Sequence, residues 1–286
     1  MRTIKILGGL GNQMFQYALM IGLQEANQEE VFADISGFKK YHLHNGLELE
    51  RVFPIRLHIA EKSPLWANKL TLSRYINKYL PFLCGNCQFE YPDFKFVEDI
   101  YNPQSNKTYY AGYWHHHGYV DPIREKLLEV FQFSSPKDEK NIEAISHMTH
   151  ENSVGIHVRR GDYLKEKQYQ GICSIDYYAQ GVELFKEKNK DITFYVFSND
   201  MRWCKENLAP LLGKSKMVYV DWNKGEESYR DMQLMTYCKG LIIANSSFSW
   251  WGAFLNQRQN HVVVAPKRWK NAKYDLNIQM TEWILI

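Results

Sequence analysis

The carboxy-terminal half of the chain alternates apolar runs with amphipathic segments, and this alternation restricts the possible folds more than any other feature. The apolar runs predict five strands, at 153–159, 192–197, 217–220, 240–244 and 261–266. Helical periodicity predicts intervening helices near 175–188, 201–208 and 226–238, and from about 248. Strands that alternate with helices in this way favour a doubly wound parallel sheet.

The amino terminus predicts a similar unit. Residues 3–7 and 31–35 predict short strands on either side of a glycine loop and a helix. Near 134–152 the chain becomes polar and charged. We therefore expect an α/β protein with two Rossmann-like lobes that face each other across a cleft. The expected boundaries are an amino-terminal lobe at 1–135, a linker at 136–152 and a carboxy-terminal lobe at 153–286.

Composition excludes several classes of protein. The 35 Lys and Arg residues exceed the 32 Asp and Glu residues by only three, so no nucleic-acid partner is expected. No stretch approaches the ~18 apolar residues of a membrane span. We expect a cytoplasmic protein that associates with the inner face of a membrane at most peripherally. Five cysteines favour reduced thiols, and the single CxxC of Cys84 and Cys87 does not indicate zinc.

A glycine-rich loop, GGLGNQ at 8–13, follows the first predicted strand. Glycines let a ligand approach backbone N–H groups at the start of a helix. Met14 occupies the third glycine position of a dinucleotide motif, although Asp34 ends the next strand where a ribose-binding acid would lie. The loop is explained equally well as a tight turn.

An arginine pair follows the strand at 153–159. Strand alternation places His157 and Arg159 on one face and Arg160 on the other. Burying two arginines is costly without an anion, and a planar guanidinium suits a pyrophosphate. A salt bridge between Arg160 and Asp162 is the structural alternative, and both arrangements are compatible with the sequence.

Two further strands end in small polar residues. After 192–197 come Ser198, Asn199 and Asp200, which could contact a ligand or simply cap the next helix. After 240–244 the chain reads Asn245, Ser246, Ser247, Phe248. Hydroxyls and free amides at the start of a helix form an anion site, and three serines within 245–249 exceed what one cap requires.

Other polar residues have two interpretations. Asp231, on the helix before this strand, could accept hydrogen bonds from guanine or be a surface acid. Tyr113, Trp114 and His115 could contact an acceptor sugar, whereas three adjacent histidines at 115–117 cannot easily chelate one metal ion. The chain contains no Asp-x-Asp metal clamp. Arginine and helix-end amides would then have to neutralise a leaving diphosphate, and no metal is predicted.

Five motifs together resemble a known family. GGLGNQMFQYA (8–18), HVRRGDY (157–163), GICSIDYY (171–178), FSND (197–200) and ANSSFSWWGAFL (244–255) are similar in order and spacing to the motifs of glycosyltransferase family 11. The resemblance is to its bacterial α-1,2-fucosyltransferases. It implies a GT-B-like fold, GDP-fucose as donor, inversion at the anomeric carbon, and no metal or other cofactor. The implied acceptor is a galactose-terminated oligosaccharide or a lipid-linked glycan.

The resemblance also implies roles for individual residues. Arg159 should bind the donor β-phosphate, His157 and Asp231 the guanine, and Ser246–Phe248 the phosphates. Asn12 should lie near the reacting centre. The implied donor site includes Ser198, Asn199, Asp200 and Asn245, and the implied acceptor site includes Gly11, Gln13, Trp114 and His115.

The identity of a general base stays open. Glu166 and Asp162 both follow the arginine pair, and either carboxylate could take the proton of the acceptor hydroxyl. Glu166 is slightly preferred because Asp162 could be held by Arg160. Two other functions are compatible with parts of the chain: an NAD-linked oxidoreductase built on residues 4–34, and a non-catalytic carbohydrate-binding protein.

Overall fold

A computed structural model describes residues 1–40, 44–63, 86–90, 94–272 and 276–286. The chain divides into two compact units, Met1–Gln132 and Phe133–Ile286. Cys84 of the CxxC pair lies outside the described residues, and Cys87 is buried and is not disulfide-bonded to another described cysteine. None of the helices in the described ranges is long and apolar enough to cross a membrane.

The first unit contains a four-stranded parallel sheet in the order β2-β1-β4-β3. Its strands are β1 (Arg2–Lys5), β2 (Val31–Asp34), β3 (Cys87–Phe89) and β4 (Tyr109–Ala111). Among the residues of this unit that the structure describes, the helices are α1 (Leu10–Asn27), α2 (Leu49–Val52) and α3 (Arg124–Val130). The predicted strand–loop–helix–strand unit is therefore present, with strand ends shifted by one or two residues.

Helix α1 begins directly after the glycine loop. Gly8 has a φ of 82°, which favours glycine, and a Cβ there would lie 2.6 Å from Nδ2 of Asn12. Phe15, Leu19 and Leu23 are fully buried, as the helical periodicity predicted. The loop therefore brings the side chain of Asn12 directly against the turn.

The second unit contains a six-stranded parallel sheet in the order β10-β9-β8-β5-β6-β7. Its strands are β5 (Asn152–Val158), β6 (Ile192–Ser198), β7 (Lys216–Val220), β8 (Gly240–Ile242), β9 (Val262–Ala265) and β10 (Ile284–Leu285). Strands β5 to β9 correspond to the five predicted strands, whereas the two residues of β10 are too few to give a predictive pattern.

The helices of the second unit are α4 (Glu139–His150), α5 (Ile175–Lys188), α6 (Met201–Asn207), α7 (Ala209–Leu212), α8 (Tyr229–Met235) and α9 (Ser247–Phe254). Tyr178, Val182 and Phe185 of α5 are buried in the core formed with β5 and β6. The predicted linker at 136–152 is not separate from this unit. It contains α4, which contacts β5 and α8 because Ala144 and Met148 give it a buried face.

Candidate functional site

The second sheet has a topological switch point between β5 and β8. The two strands are neighbours, paired at Val154 with Gly240 and at Ile156 with Ile242. From β5 the chain continues outward to β6 and β7, and from β8 it continues the other way to β9 and β10. Ligands of such sheets bind outside the carboxyl ends of the strands at this point. The arginine pair and the serine-containing helix start both lie there.

Arg159 has guanidinium donors to spare for a ligand. One Nη donates to Asp162 at 2.8 Å, and the guanidinium carbon lies 5.7 Å from the centre of the Tyr163 ring. Its Nε is buried and has no hydrogen-bond partner in the part of the chain that the structure describes. The Arg159 side chain as a whole is 24% exposed, so an anion can reach its guanidinium.

Arg160 has a structural role. Its Nε lies 3.4 Å from a carboxylate oxygen of Asp200, and its guanidinium lies 4.3 Å from the Trp203 ring centre. The ion pairs join Arg160 to Asp200 and Asp162 to Arg159, rather than Arg160 to Asp162 as in the structural alternative that the sequence offered.

His157 is a neutral, buried imidazole beside Arg159. Burial, and then the nearby Arg159 charge, lower its pKa to about 3. Its ring lies 5.9 Å from that of Phe248, and Tyr178 donates a hydrogen bond to its backbone carbonyl at 3.1 Å. The Nδ1 atom is buried with no partner among the described residues. A bound polar ligand could satisfy this nitrogen together with Nε of Arg159.

The start of α9 provides further donors. Ser246 caps the helix, with its hydroxyl accepting from the Phe248 amide at 3.4 Å, while Ser247 and Phe248 are partly exposed. Ser249 is buried and bonds to the Ala244 carbonyl. The first turn of an eight-residue helix carries positive partial charge, which suits an anion.

The side chain of Asn245 is held by hydrogen bonds inside the second unit. It is 1% exposed, its Nδ2 donates to the Trp269 carbonyl at 2.9 Å, and its Oδ1 accepts from the Cys173 thiol at 3.4 Å. Both ends of the amide are used internally, so the expected contact between this side chain and the donor is not supported. Tyr163, to which the sequence assigned no role, donates to the Asn245 carbonyl at 3.2 Å and fixes the same turn.

The segment Ser198–Asp200 is occupied by internal hydrogen bonds. Ser198 accepts from the Asp200 amide at 2.9 Å, and Asp200 caps α6 by accepting from the Trp203 amide at 3.2 Å. Asn199 accepts from the Arg160 amide at 3.0 Å and donates to Asp162 at 3.2 Å. The capping interpretation is confirmed for Asp200, and a direct role of these three side chains in donor binding is not supported.

Asp231 lies in the first turn of α8 as a partly buried acid rather than a surface one. Asn223 donates to its Oδ1 at 2.9 Å, and Asn223 in turn bonds to Asn141 of α4 at 2.7 Å. Burial raises the pKa of Asp231 to about 7 in spite of the Asn223 hydrogen bond. Sequence reasoning missed both asparagines, since Asn141 fell in the expected linker and neither belongs to a motif.

In the first unit, Asn12 and His115 form a pair, with Oδ1 and Nε2 3.0 Å apart. The buried carboxylate of Glu90 accepts from the backbone amides of Tyr113 and His115 at 2.7 and 2.9 Å. This clamp holds the loop that carries His115. Glu90 was missed because an isolated acid outside any motif gives no sequence signal.

The expected acceptor contacts of Gln13 and Trp114 are not supported, because both side chains are fully buried. Gln13 donates to the carbonyls of Gly8 and Gly46 and accepts from the Glu48 amide, which uses the whole amide group. Gly11 is buried in the first turn of α1.

Asp34 cannot serve as a ribose-binding acid. It is 1% exposed and forms a buried ion pair with Lys5 at 3.2 Å. Its carboxylate also accepts from the hydroxyls of Ser63 and Tyr109. These partners argue against the NAD-linked alternative. Across the described ranges, no group of three or more His, Cys, Asp or Glu side chains is placed to hold a metal ion.

Sequence comparison decides the family. The profile of Glycosyl transferase family 11 matches residues 1–286. The chain belongs to glycosyltransferase family 11. It is 32% identical to an alpha-1,2-colitosyltransferase of Escherichia coli, over 93% of this chain and 91% of that one. It is 29% identical to the O-antigen biosynthesis glycosyltransferase WbnK of Escherichia coli, over 97% of both chains. A galactoside alpha-(1,2)-fucosyltransferase 1 of Rattus norvegicus is 26% identical over 88% of this chain and 63% of its own length.

Solved structures show the fold. The fucosyltransferase NodZ from Bradyrhizobium superposes with a TM-score of 0.53 at 12% identity, covering 89% of this chain and 93% of that one. A NodZ alpha-1,6-fucosyltransferase structure soaked with GDP-fucose gives 0.50 at 14% identity, over 89% and 92% of the two chains. The family 11 protein therefore has the GT-B type of α/β fold, as predicted.

Proposed function

We propose that this glycosyltransferase transfers L-fucose from GDP-β-L-fucose to O-2 of a galactoside, with inversion and without a divalent metal. One observation carries the proposal. Arg159, which follows β5, and the start of α9, which follows β8, both lie at the switch point between these neighbouring strands. His157 and Asp231 flank the same sheet edge and suit a guanine base. The family membership and the named activities of its fucosyltransferase relatives support the choice of donor.

The proposed reaction is a single displacement. The acceptor hydroxyl attacks C1 of the β-linked fucose from the face opposite GDP, the C1–O bond to the β-phosphate breaks, and an α-linkage forms. Negative charge then grows on the β-phosphate. Arg159 and the first amides of α9 are fixed donors that stabilise this charge, and they need not reorganise during the reaction.

The acceptor proton needs a base or a water molecule. Asp162 is less suitable than the sequence suggested, since its carboxylate is engaged by Arg159 and Asn199. Glu166 is exposed and follows the 3₁₀ turn Tyr163–Lys165. We therefore retain Glu166 as the proposed base. Asn12, which pairs with His115, is retained as a proposed catalytic residue.

The test is incubation of the purified protein with GDP-fucose and a panel of β-galactosides, followed by linkage analysis of the product. We expect an α-1,2-linked fucoside. A 2-deoxygalactoside is the matched control, because it lacks only the accepting hydroxyl and should give no product. A fucoside formed from the 2-deoxy acceptor, or linked at another position, would refute the proposed linkage.

A second candidate donor is GDP-colitose, because a 32% identical relative is named as a colitosyltransferase. Colitose is the 3-deoxy analogue of L-fucose, so one pocket could accept either sugar. Competition between the two donors in one reaction distinguishes them. Preferential transfer of colitose would replace the fucose assignment but keep the guanine and diphosphate assignments.

A further inference from the structure

A cavity lies in the carboxy-terminal unit, far from the switch-point edge. Its volume is about 340 Å³, within the usual range of small-molecule pockets. It is lined by the amino ends of β5, β8 and β9 and by the last turn of α5. Because β5 rises about 3.3 Å per residue, this edge is roughly 20 Å from Arg159.

One wall of the cavity is apolar. Val154, Phe185 and Val264 line it and are each at most 5% exposed, and Val262 and Ile284 extend the wall towards solvent. Phe185 packs directly on the strand at Gly240, where an added Cβ would lie 2.2 Å from its ring. The wall is therefore recessed between α5 and the sheet, where it offers a ligand apolar contact.

The rim of the cavity is cationic. Lys188, Lys239 and Arg258 line it, whereas Asp and Glu are absent from the lining residues. Nζ of Lys239 donates to Asn152 at 3.1 Å, and Arg258 donates to the carbonyls of Met148 and Tyr237 at 2.7 Å each. These are neutral partners. The adjacent acid Glu151 is paired with Lys216 at 3.1 Å, so it does not neutralise the rim.

A recessed apolar wall beside a rim of three cations, with no carboxylate among the described lining residues, favours a ligand that is both apolar and anionic. We infer that this cavity binds a monomeric amphipathic anion, an aliphatic chain that ends in a single carboxylate. The chain lies against Val154, Phe185 and Val262, and the carboxylate lies between Lys188 and Lys239. A flat bilayer surface would touch the rim but not the recessed wall, so a free amphiphile fits better than a membrane.

The probe is dodecanoate, titrated calorimetrically into the full chain below its micelle concentration. We expect saturable binding with one site per chain. Dodecyltrimethylammonium, which has the same chain and the opposite charge, should not bind, and butyrate should bind at least tenfold more weakly. The double variant Lys188→Gln/Lys239→Gln should weaken dodecanoate binding at least tenfold.

The matched control is Lys137→Gln/Lys140→Gln, which removes the same charge from exposed positions that do not line the cavity. It should bind dodecanoate like the parent. Ile284→Trp fills the mouth and should also abolish binding. If this variant fails to fold, the lysine variant still decides the outcome. Equal binding of the anionic and cationic probes, or undiminished binding by Lys188→Gln/Lys239→Gln, would overturn the inference. Binding to anionic vesicles without binding of monomeric dodecanoate would overturn it as well.

Discussion

Asp231 gives the sharpest test of the proposed guanine site, because the structure implies that its carboxylate costs stability. Its pKa is raised from 3.8 in an unfolded chain to about 7 by burial. A difference of one pKa unit between the folded and unfolded states corresponds to about 1.4 kcal/mol in the free energy of unfolding. Ionising Asp231 therefore lowers the free energy of unfolding by up to about 4 kcal/mol relative to the protonated form.

The sign of the pH dependence follows from proton binding. Below pH 3.8 both states carry the proton, and Asp231 contributes no pH dependence. Between 3.8 and about 7 the folded protein holds a proton that the unfolded chain has lost, so stability falls as the pH rises. Above about 7 the penalty is complete.

Asp231→Asn removes the charge and keeps an oxygen that can accept the hydrogen bond from Asn223. We expect this variant to be more stable than the parent at pH 8, by up to about 4 kcal/mol, and similar to it near pH 4. We also expect its GDP affinity at pH 8 to fall at least tenfold, because the carboxylate offers two charged acceptor oxygens to the guanine N–H groups, whereas the amide replaces one of them with a donor NH2.

The assays are urea unfolding at both pH values and calorimetric titration with GDP. The control is Asp221→Asn, since Asp221 is 52% exposed and forms a surface ion pair with Lys205. That variant should change stability by less than about 1 kcal/mol at either pH. The reasoning is refuted if Asp231→Asn is destabilised at pH 8, or if its stability difference from the parent does not depend on pH. Unchanged GDP affinity would remove Asp231 from the site without affecting the stability argument.

Three further predictions concern catalysis. Arg159→Ala should lower kcat by a factor of about 10²–10³ with little loss of stability. The control is Arg202→Ala, at an 89% exposed side chain, which should leave both kcat and stability unchanged. Near-normal turnover of Arg159→Ala would remove the role assigned to Arg159. Glu166→Gln should abolish the acid limb of the pH–rate profile, while Asp162→Asn should mainly raise the KM for GDP-fucose by freeing Arg159. Two unchanged profiles would exclude both carboxylates as the base. Activity should persist in excess EDTA, and a loss that Mg²⁺ or Mn²⁺ restores would contradict the metal-free mechanism.

Several features could be predicted from the sequence because they depend on local physical chemistry. Apolar runs alternating with helical periods defined five of the strands in the second unit, since each buried strand needs such a run wherever it lies. The motifs around Arg159 and Ser246 identified the family for the same reason, because their residues are neighbours along the chain.

Other assignments failed because they depended on partners distant in sequence. The sequence offered Asp162, two residues away, as a possible structural partner of Arg160, but the residue that pairs with Arg160 is Asp200, which follows the adjacent strand β6. Asn245 and Gln13 looked available for ligands, yet each is held by carbonyls that only the folded chain places nearby. Asn223 and Asn141 gave no signal at all.

The sequence alone therefore determined the α/β class, the succession of strands and helices, and the cationic and hydroxyl-bearing groups that follow β5 and β8. Tertiary structure decided that these two strands are neighbours at a switch point, and which side chains there remain free. The local sequence pattern reflects burial and backbone preference. Hydrogen-bond satisfaction and pKa depend instead on groups that are distant in sequence, such as Arg258 and Met148, which are 110 residues apart.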